Sequence, residues 1–100
     1  MCIRDSFEVD PASAVLHYGQ TIFEGIKAYK NSKDEVVIFR PDQNFIRFNV
    51  SADRMQMPAV PEWLFMEGMK QLIALDNGWI PSLPEHSLYI RPFMLSLIPI

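Results

Sequence analysis

The chain has a single cysteine, Cys2, which can close no internal disulfide and has no partner for a thiolate metal site. Cations are scarce as well: nine Lys and Arg stand against twelve Asp and Glu, for a net charge of −3. Phosphate-backbone binding needs clustered Lys and Arg, so the balance argues against a nucleic-acid partner. No apolar run approaches the roughly 18 residues of a membrane span, and no apolar core follows a basic flank at the start. Neither a transmembrane helix nor a signal peptide is expected, and a reducing cytoplasm is the default setting. The four glycines are dispersed rather than gathered in a phosphate loop. His17 and His86 have no carboxylates at ligand spacing, so no metal site is expected. No Ser/His/Asp or Cys/His constellation emerges.

What remains is a chain of 100 residues, 49% hydrophobic and 21% charged. That is one domain at most, able to bury roughly 60–70% of its unfolded surface. Asp10-Pro11 marks a turn or an extended stretch. From Tyr18 to Glu24 the pattern predicts a short helix bracketed by Gly19 and Gly25, with Gly25 as its stop. Residues 26–30 and 35–39 flank Asn31-Ser32-Lys33-Asp34, a hairpin signal, and Val36 to Phe39 are residues that buried strands prefer. Pro41 fits the first position of a helix and Asp42 its first turn. Phe45, Phe48, Ala52 and Met55 then form one helical stripe, ended by Met57-Pro58. Pro61-Glu62 opens a second helix with the stripe Phe65, Met69, Leu72 and Ile73, stopped at Asn77-Gly78. A Pro-containing loop leads to a strand beginning at Ser87. Helix, strand, strand, helix, helix, strand predicts a two-layer α+β unit.

In the last strand side chains two apart share a face. Tyr89 and Arg91 therefore point one way, and Leu88 and Ile90 the other. A phenol beside a fixed fork of N–H donors suits a carboxylate or a phosphate. Tyr18 and Phe23, near the glycine-marked bend, are candidates to wall the same site, with core packing as the competing reading. Arg47 lies beside two phenylalanines, with a salt-bridged surface as its competing reading. Arg91 competes with an edge-strand reading because Pro92 follows it. Lys27, Lys30, Lys33 and Lys70 read as solvated charges, and most of the six methionines as core filler.

The segments His17-Tyr18-Gly19-Gln20, Phe23-Glu24-Gly25-Ile26-Lys27-Ala28-Tyr29, Phe39-Arg40-Pro41-Asp42 with Arg47, Ala52-Asp53-Arg54-Met55 with Met57-Pro58, Leu75-Asp76 with Trp79-Ile80-Pro81, and Ser87-Leu88-Tyr89-Ile90-Arg91-Pro92-Phe93 together resemble the branched-chain amino acid aminotransferases. The resemblance runs in order from about residue 7 to about 94. It implies the small N-terminal domain of a fold-type-IV enzyme that uses pyridoxal 5'-phosphate to move the amino group between leucine, isoleucine or valine and 2-oxoglutarate. It implies that Arg47 grips the cofactor phosphate, a task suited to a planar guanidinium. It also implies that Tyr89 and Arg91 line the substrate pocket near the carboxylates, with Tyr18 and Phe23 shaping the same region. Tyr18 would reach toward the partner subunit across a homodimer. The lysine that binds the cofactor covalently belongs, in that family, beyond this chain, and none of its four lysines matches it, so this chain alone should not transaminate. A D-amino acid aminotransferase, an aminodeoxychorismate lyase and a noncatalytic anion-binding domain are the alternatives. Residues 1–6 and 95–100 do not resemble the family and read as a non-native leader and tail around an incomplete domain at 7–94.

Overall fold

The computed structural model describes residues 6–83 and 85–99; the leader expected at 1–6 lies outside them apart from Ser6, as does Cys2. In chain order the elements are α1 (Ala14–Tyr18), β1 (Thr21–Phe23), β2 (Ile26–Lys30), β3 (Val36–Ile38), α2 (Pro41–Arg54), α3 (Glu62–Leu75), β4 (Leu88–Ile90) and β5 (Phe93–Leu95). A three-stranded antiparallel sheet has the order β3-β2-β4, and a two-stranded sheet pairs β1 with β5. Helices α2 and α3 share one core with residues of these sheets, which makes the unit α+β.

The hairpin forms where its turn residues predict. Asn31 Oδ1 accepts the backbone N–H of Lys33 at 2.9 Å and of Glu35 at 2.9 Å, the local side-chain bonding that makes Asn a turn residue. Ala28 then pairs with Ile38 and Lys30 with Val36. On the other edge of β2, Ile26 pairs with Ile90 and Lys27 with Tyr89. Helix α2 starts at Pro41 with Asp42 in its first turn. It buries Phe48 and Ala52 against Ile22, Ile26, Ala28, Met57, Phe65, Met69, Ile73, Ile80 and Ile90, with Phe45 and Met55 packed at the margin. The Phe65 ring joins the two helices, its centroid 5.6 Å from both Phe45 and Phe48, a spacing at which tilted aromatic pairs attract. Asn49 clamps the link between the helices: its Nδ2 donates to the Val60 carbonyl at 2.9 Å, and its Oδ1 accepts the Val60 N–H at 2.8 Å.

Three expectations are corrected. The helix predicted over Tyr18–Glu24 lies earlier, at Ala14–Tyr18, and Thr21–Phe23 is a strand. Gly19, not Gly25, ends the helix; its φ of 61° is the left-handed conformation that glycine adopts at little steric cost. The strand wins because β5 offers a ladder, with Thr21 opposite Leu95 and Phe23 opposite Phe93, and such a distant partner leaves no mark on local periodicity. Tyr18 and Phe23 are not core aromatics: they are 73% and 54% exposed. Leu72 leaves the predicted α3 stripe and is 45% exposed, while Phe65, Met69 and Ile73 are buried. Steps of four keep those three on one side, and Leu72 falls about 100° from Ile73 around the helix.

Beyond β5 the chain continues along the same edge. Ser96 N–H donates to the Gln20 carbonyl at 3.0 Å, Val15 N–H to the Ser96 carbonyl at 3.0 Å, and Ala14 N–H to the Ile98 carbonyl at 2.8 Å.

Candidate functional site

The site is organised by the link between β1 and β2, Phe23-Glu24-Gly25-Ile26. As the chain leaves β1, the Glu24 N–H donates to the Pro92 carbonyl at 2.9 Å, and the Glu24 carboxylate turns toward α2. Only 5% of Glu24 is exposed, a costly place for a carboxylate without partners. Two residues one helical turn apart on α2 supply them. Arg47 donates through Nε to Glu24 Oε2 at 2.8 Å and through Nη2 to Oε1 at 2.7 Å. Asn44 donates through Nδ2 to Oε1 at 2.9 Å and to the Gly25 carbonyl at 3.3 Å. The Arg47 hydrogen bonds hold the Glu24 carboxyl below its ordinary value; burial opposes them, and Asn44 and the Arg47 charge add to the lowering. The same pair raises Arg47. The Arg47 side chain itself is 68% exposed, so water screens the pair on that side.

Next to the same link, Phe23, Tyr89 and Arg91 come together. The Arg91 guanidinium carbon stands 4.3 Å from the Phe23 ring centroid and 5.7 Å from that of Tyr89, within the range of cation–π attraction. Arg91 Nε donates to the Tyr89 hydroxyl at 3.3 Å. Tyr89 reaches this position by passing over Gly25, where an added Cβ would lie 2.9 Å from the hydroxyl oxygen. Within β4, Tyr89 is exposed and Ile90 buried, and Arg91, just past the end of the strand, is exposed again. The predicted alternation of faces is thus present.

Two clefts open beside Arg47 and Tyr89, whereas Arg91 and Phe23 line other clefts. One of about 410 Å³ is lined by Phe39, Arg40, Asn44 and Arg47 among others. The second, of about 270 Å³, is lined by Gly25, Lys27, Tyr29, Phe39, Asn44 and Tyr89 among others. Phe39 and Asn44 border both, so the clefts adjoin.

Of the residues singled out from the sequence, Phe23, Tyr89 and Arg91 form one cluster. Arg47 is not in that cluster; it is tied to the β1–β2 link through Glu24. Tyr18, at the exposed end of α1, shares no hydrogen bond or ring contact with the others among the described residues. Glu24 and Asn44 were missed; Lys27, read as a solvated charge, is exposed and lines the smaller cleft. Period two along β2 places Lys27 and Tyr29 opposite the buried Ile26 and Ala28, and that signal was available for Lys27. For Glu24 and Asn44 there was none: Glu24 falls at the end of the short helix expected over Tyr18–Glu24, and no periodicity marks Asn44. Among the described residues no group of three His, Cys, Asp or Glu could hold a metal ion, and no helix is long and apolar enough to cross a membrane.

No family model matches the chain. It is 50% identical over 91 residues to branched-chain-amino-acid aminotransferase 2 of Bacillus subtilis, a match covering 91% of this chain and 25% of that protein. The solved branched-chain amino acid aminotransferase of Escherichia coli superposes with a TM-score of 0.71 at 29% identity, covering 93% of this chain and 31% of that one. A branched-chain amino acid aminotransferase from T.th., complexed with N-(5'-phosphopyridoxyl)-L-glutamate, gives 0.68 at 34% identity, covering 88% and 28%. The chain spans about a quarter of the length of the curated relatives it matches. Over that quarter, the chain is similar in sequence and in fold to branched-chain-amino-acid aminotransferases.

Proposed function

We propose that this chain is the part of a pyridoxal-5'-phosphate-dependent transaminase that holds the cofactor's phosphate and the substrate's carboxylate, in a reaction exchanging an amino group between leucine, isoleucine or valine and 2-oxoglutarate. The observation that carries the reading is the pair of guanidinium groups held beside one link, Arg47 by the Glu24 carboxylate and Arg91 over the Phe23 ring. The T.th. relative is complexed with a ligand that joins a phosphate to glutamate, and two separated arginines suit two separated anionic ends of such a molecule.

The donor set fits the phosphate. Glu24 engages Nε and Nη2 of Arg47, while Nη1 lies outside the pair and the side chain is open to the cleft that Arg40 also lines. When bound, pyridoxal 5'-phosphate supplies the electron sink for chemistry at the amino acid's α-carbon. The residues here bind and orient. Arg47 anchors the phosphate, Arg91 meets a carboxylate, and the rings of Phe23 and Tyr89 give an aliphatic side chain an apolar wall. Tyr18 projects from α1 for use by a second copy of the protein in a homodimer. The covalent lysine is contributed from outside this chain, so the chain alone lacks transaminase activity.

The test uses a hybrid in which this chain replaces the matching quarter of the Bacillus subtilis relative. Arg47→Lys should weaken pyridoxal 5'-phosphate binding by about 10- to 100-fold, the range for hydrogen bonds to a charged group. Arg91→Ala should lower kcat/KM for glutamate much more than for leucine. Equal losses on the two substrates would remove Arg91 from carboxylate recognition.

A further inference from the structure

The buried Glu24 carboxylate lines neither cleft, yet it accepts three side-chain hydrogen bonds from α2. A guanidinium has two neighbouring edges that can each meet an oxyanion with two parallel N–H groups. Glu24 occupies the edge made by Nε and Nη2, so the edge made by Nη1 and Nη2 faces away from it. Glu24 is itself held from two sides: Asn44 fixes Oε1 from α2, and the backbone N–H of Glu24 is tied to the Pro92 carbonyl beside Arg91. Arg47 is a long side chain, largely in solvent, and its orientation depends on this carboxylate.

We infer that Glu24 is the positioning residue of the phosphate grip: it fixes Arg47 by one edge and thereby presents the other edge to the cofactor's phosphate. This rests on the reading of Arg47 given under Proposed function. Glu24 also joins the two halves of the site, since its neighbours Phe23 and Gly25 carry the Arg91 and Tyr89 contacts. Electrostatics alone would act in the opposite direction. A carboxylate beside Arg47 reduces the local positive charge, so a Glu24 that merely neutralised Arg47 would weaken phosphate binding, and its removal would strengthen it.

The experiment uses the same hybrid enzyme and two probes, pyridoxal 5'-phosphate and pyridoxal, which differ only in the phosphate. Glu24→Gln keeps the side-chain size and the main-chain bond to Pro92, and sets an amide donor against the Arg47 donors. It should weaken pyridoxal 5'-phosphate binding about tenfold, the size of one hydrogen bond to a charged group, and leave pyridoxal binding unchanged. In an Arg47→Lys background the same substitution should have no further effect on pyridoxal 5'-phosphate. Asn44→Ala, which leaves the carboxylate but removes its support, should produce a smaller loss in the same direction and is the variant to use if Glu24→Gln does not fold. Tighter binding in Glu24→Gln, an equal loss for both probes, or a loss that persists in the Arg47→Lys background overturns the inference. If Arg47→Lys alone leaves both probes unaffected, or the unmutated hybrid binds no pyridoxal 5'-phosphate, the reading of Arg47 falls first and the inference with it.

Discussion

Replacing Gly25 with alanine separates the stability of the fold from the geometry of the site. The added Cβ would lie 2.9 Å from the Tyr89 hydroxyl oxygen, 3.1 Å from Cε1 and 3.4 Å from Cζ. All three atoms belong to a side chain that is half exposed, so the ring can swing outward while the backbone stays in place. Driving the ring off its rotamer costs about 0.5–1.5 kcal/mol, and losing an exposed cation–π contact costs about 0.5–1 kcal/mol. Against this, Gly→Ala restricts the unfolded chain, worth about 0.4–1 kcal/mol, and Gly25 has no positive φ to oppose it. The net loss of folding stability is therefore about 1 kcal/mol, or roughly 4–8 °C in Tm for a domain of this size. The site is more sensitive, because Arg91 donates to the displaced hydroxyl at 3.3 Å and loses one of its two rings. Urea denaturation of the chain should show the small stability change, and the hybrid enzyme should show KM for glutamate raised about tenfold, the size of one hydrogen bond to a charged group. With Tyr89→Ala already in place, Gly25→Ala should be neutral or slightly stabilising. A loss above about 3 kcal/mol, twice the largest rotamer cost, or the same loss in the Tyr89→Ala background, would show that the alanine collides with something other than the ring and would refute the argument.

Two further outcomes follow from the packing and the charges. Phe48→Ala, at a core position against Phe65, should cost about 3–5 kcal/mol, whereas Leu72→Ala on the exposed side of α3 should cost about 1 kcal/mol or less; urea midpoints compare them directly, and equal losses would contradict the observed placement of Leu72. Glu24 has its carboxyl held below its ordinary value of 4.5, so its contribution to stability is present above that value and is lost as pH falls through the folded-state value. Denaturation from neutral to acid pH should show a steeper loss in the parent than in Glu24→Gln, and identical slopes would show that the ion pair does not contribute.

Much of the architecture was legible from residues close together in the chain. Asn31 to Asp34 specify the hairpin turn through bonds within four residues. Pro41 and Asp42 start α2, and the spacing of Phe48 and Ala52 selects its buried side. Alternation within Leu88 to Arg91 was enough to place Tyr89 and Arg91 on one face and Ile90 on the other. In each case the determining interactions repeat over a short period, so the pattern survives without knowledge of the partner. The strand at Thr21–Phe23 and its mate at Phe93–Leu95 were not legible, because a three-residue strand is made by its ladder and the ladder joins distant parts of the chain. The Glu24–Arg47–Asn44 cluster was hidden for a related reason. A carboxylate shows its role only once burial and two partners from another element are known, and residue type alone does not distinguish it from a solvated turn residue. Local periodicity thus determined which elements form and which faces they bury; the tertiary structure alone decided which charges meet, since long-range pairing and desolvation are properties of the assembled chain.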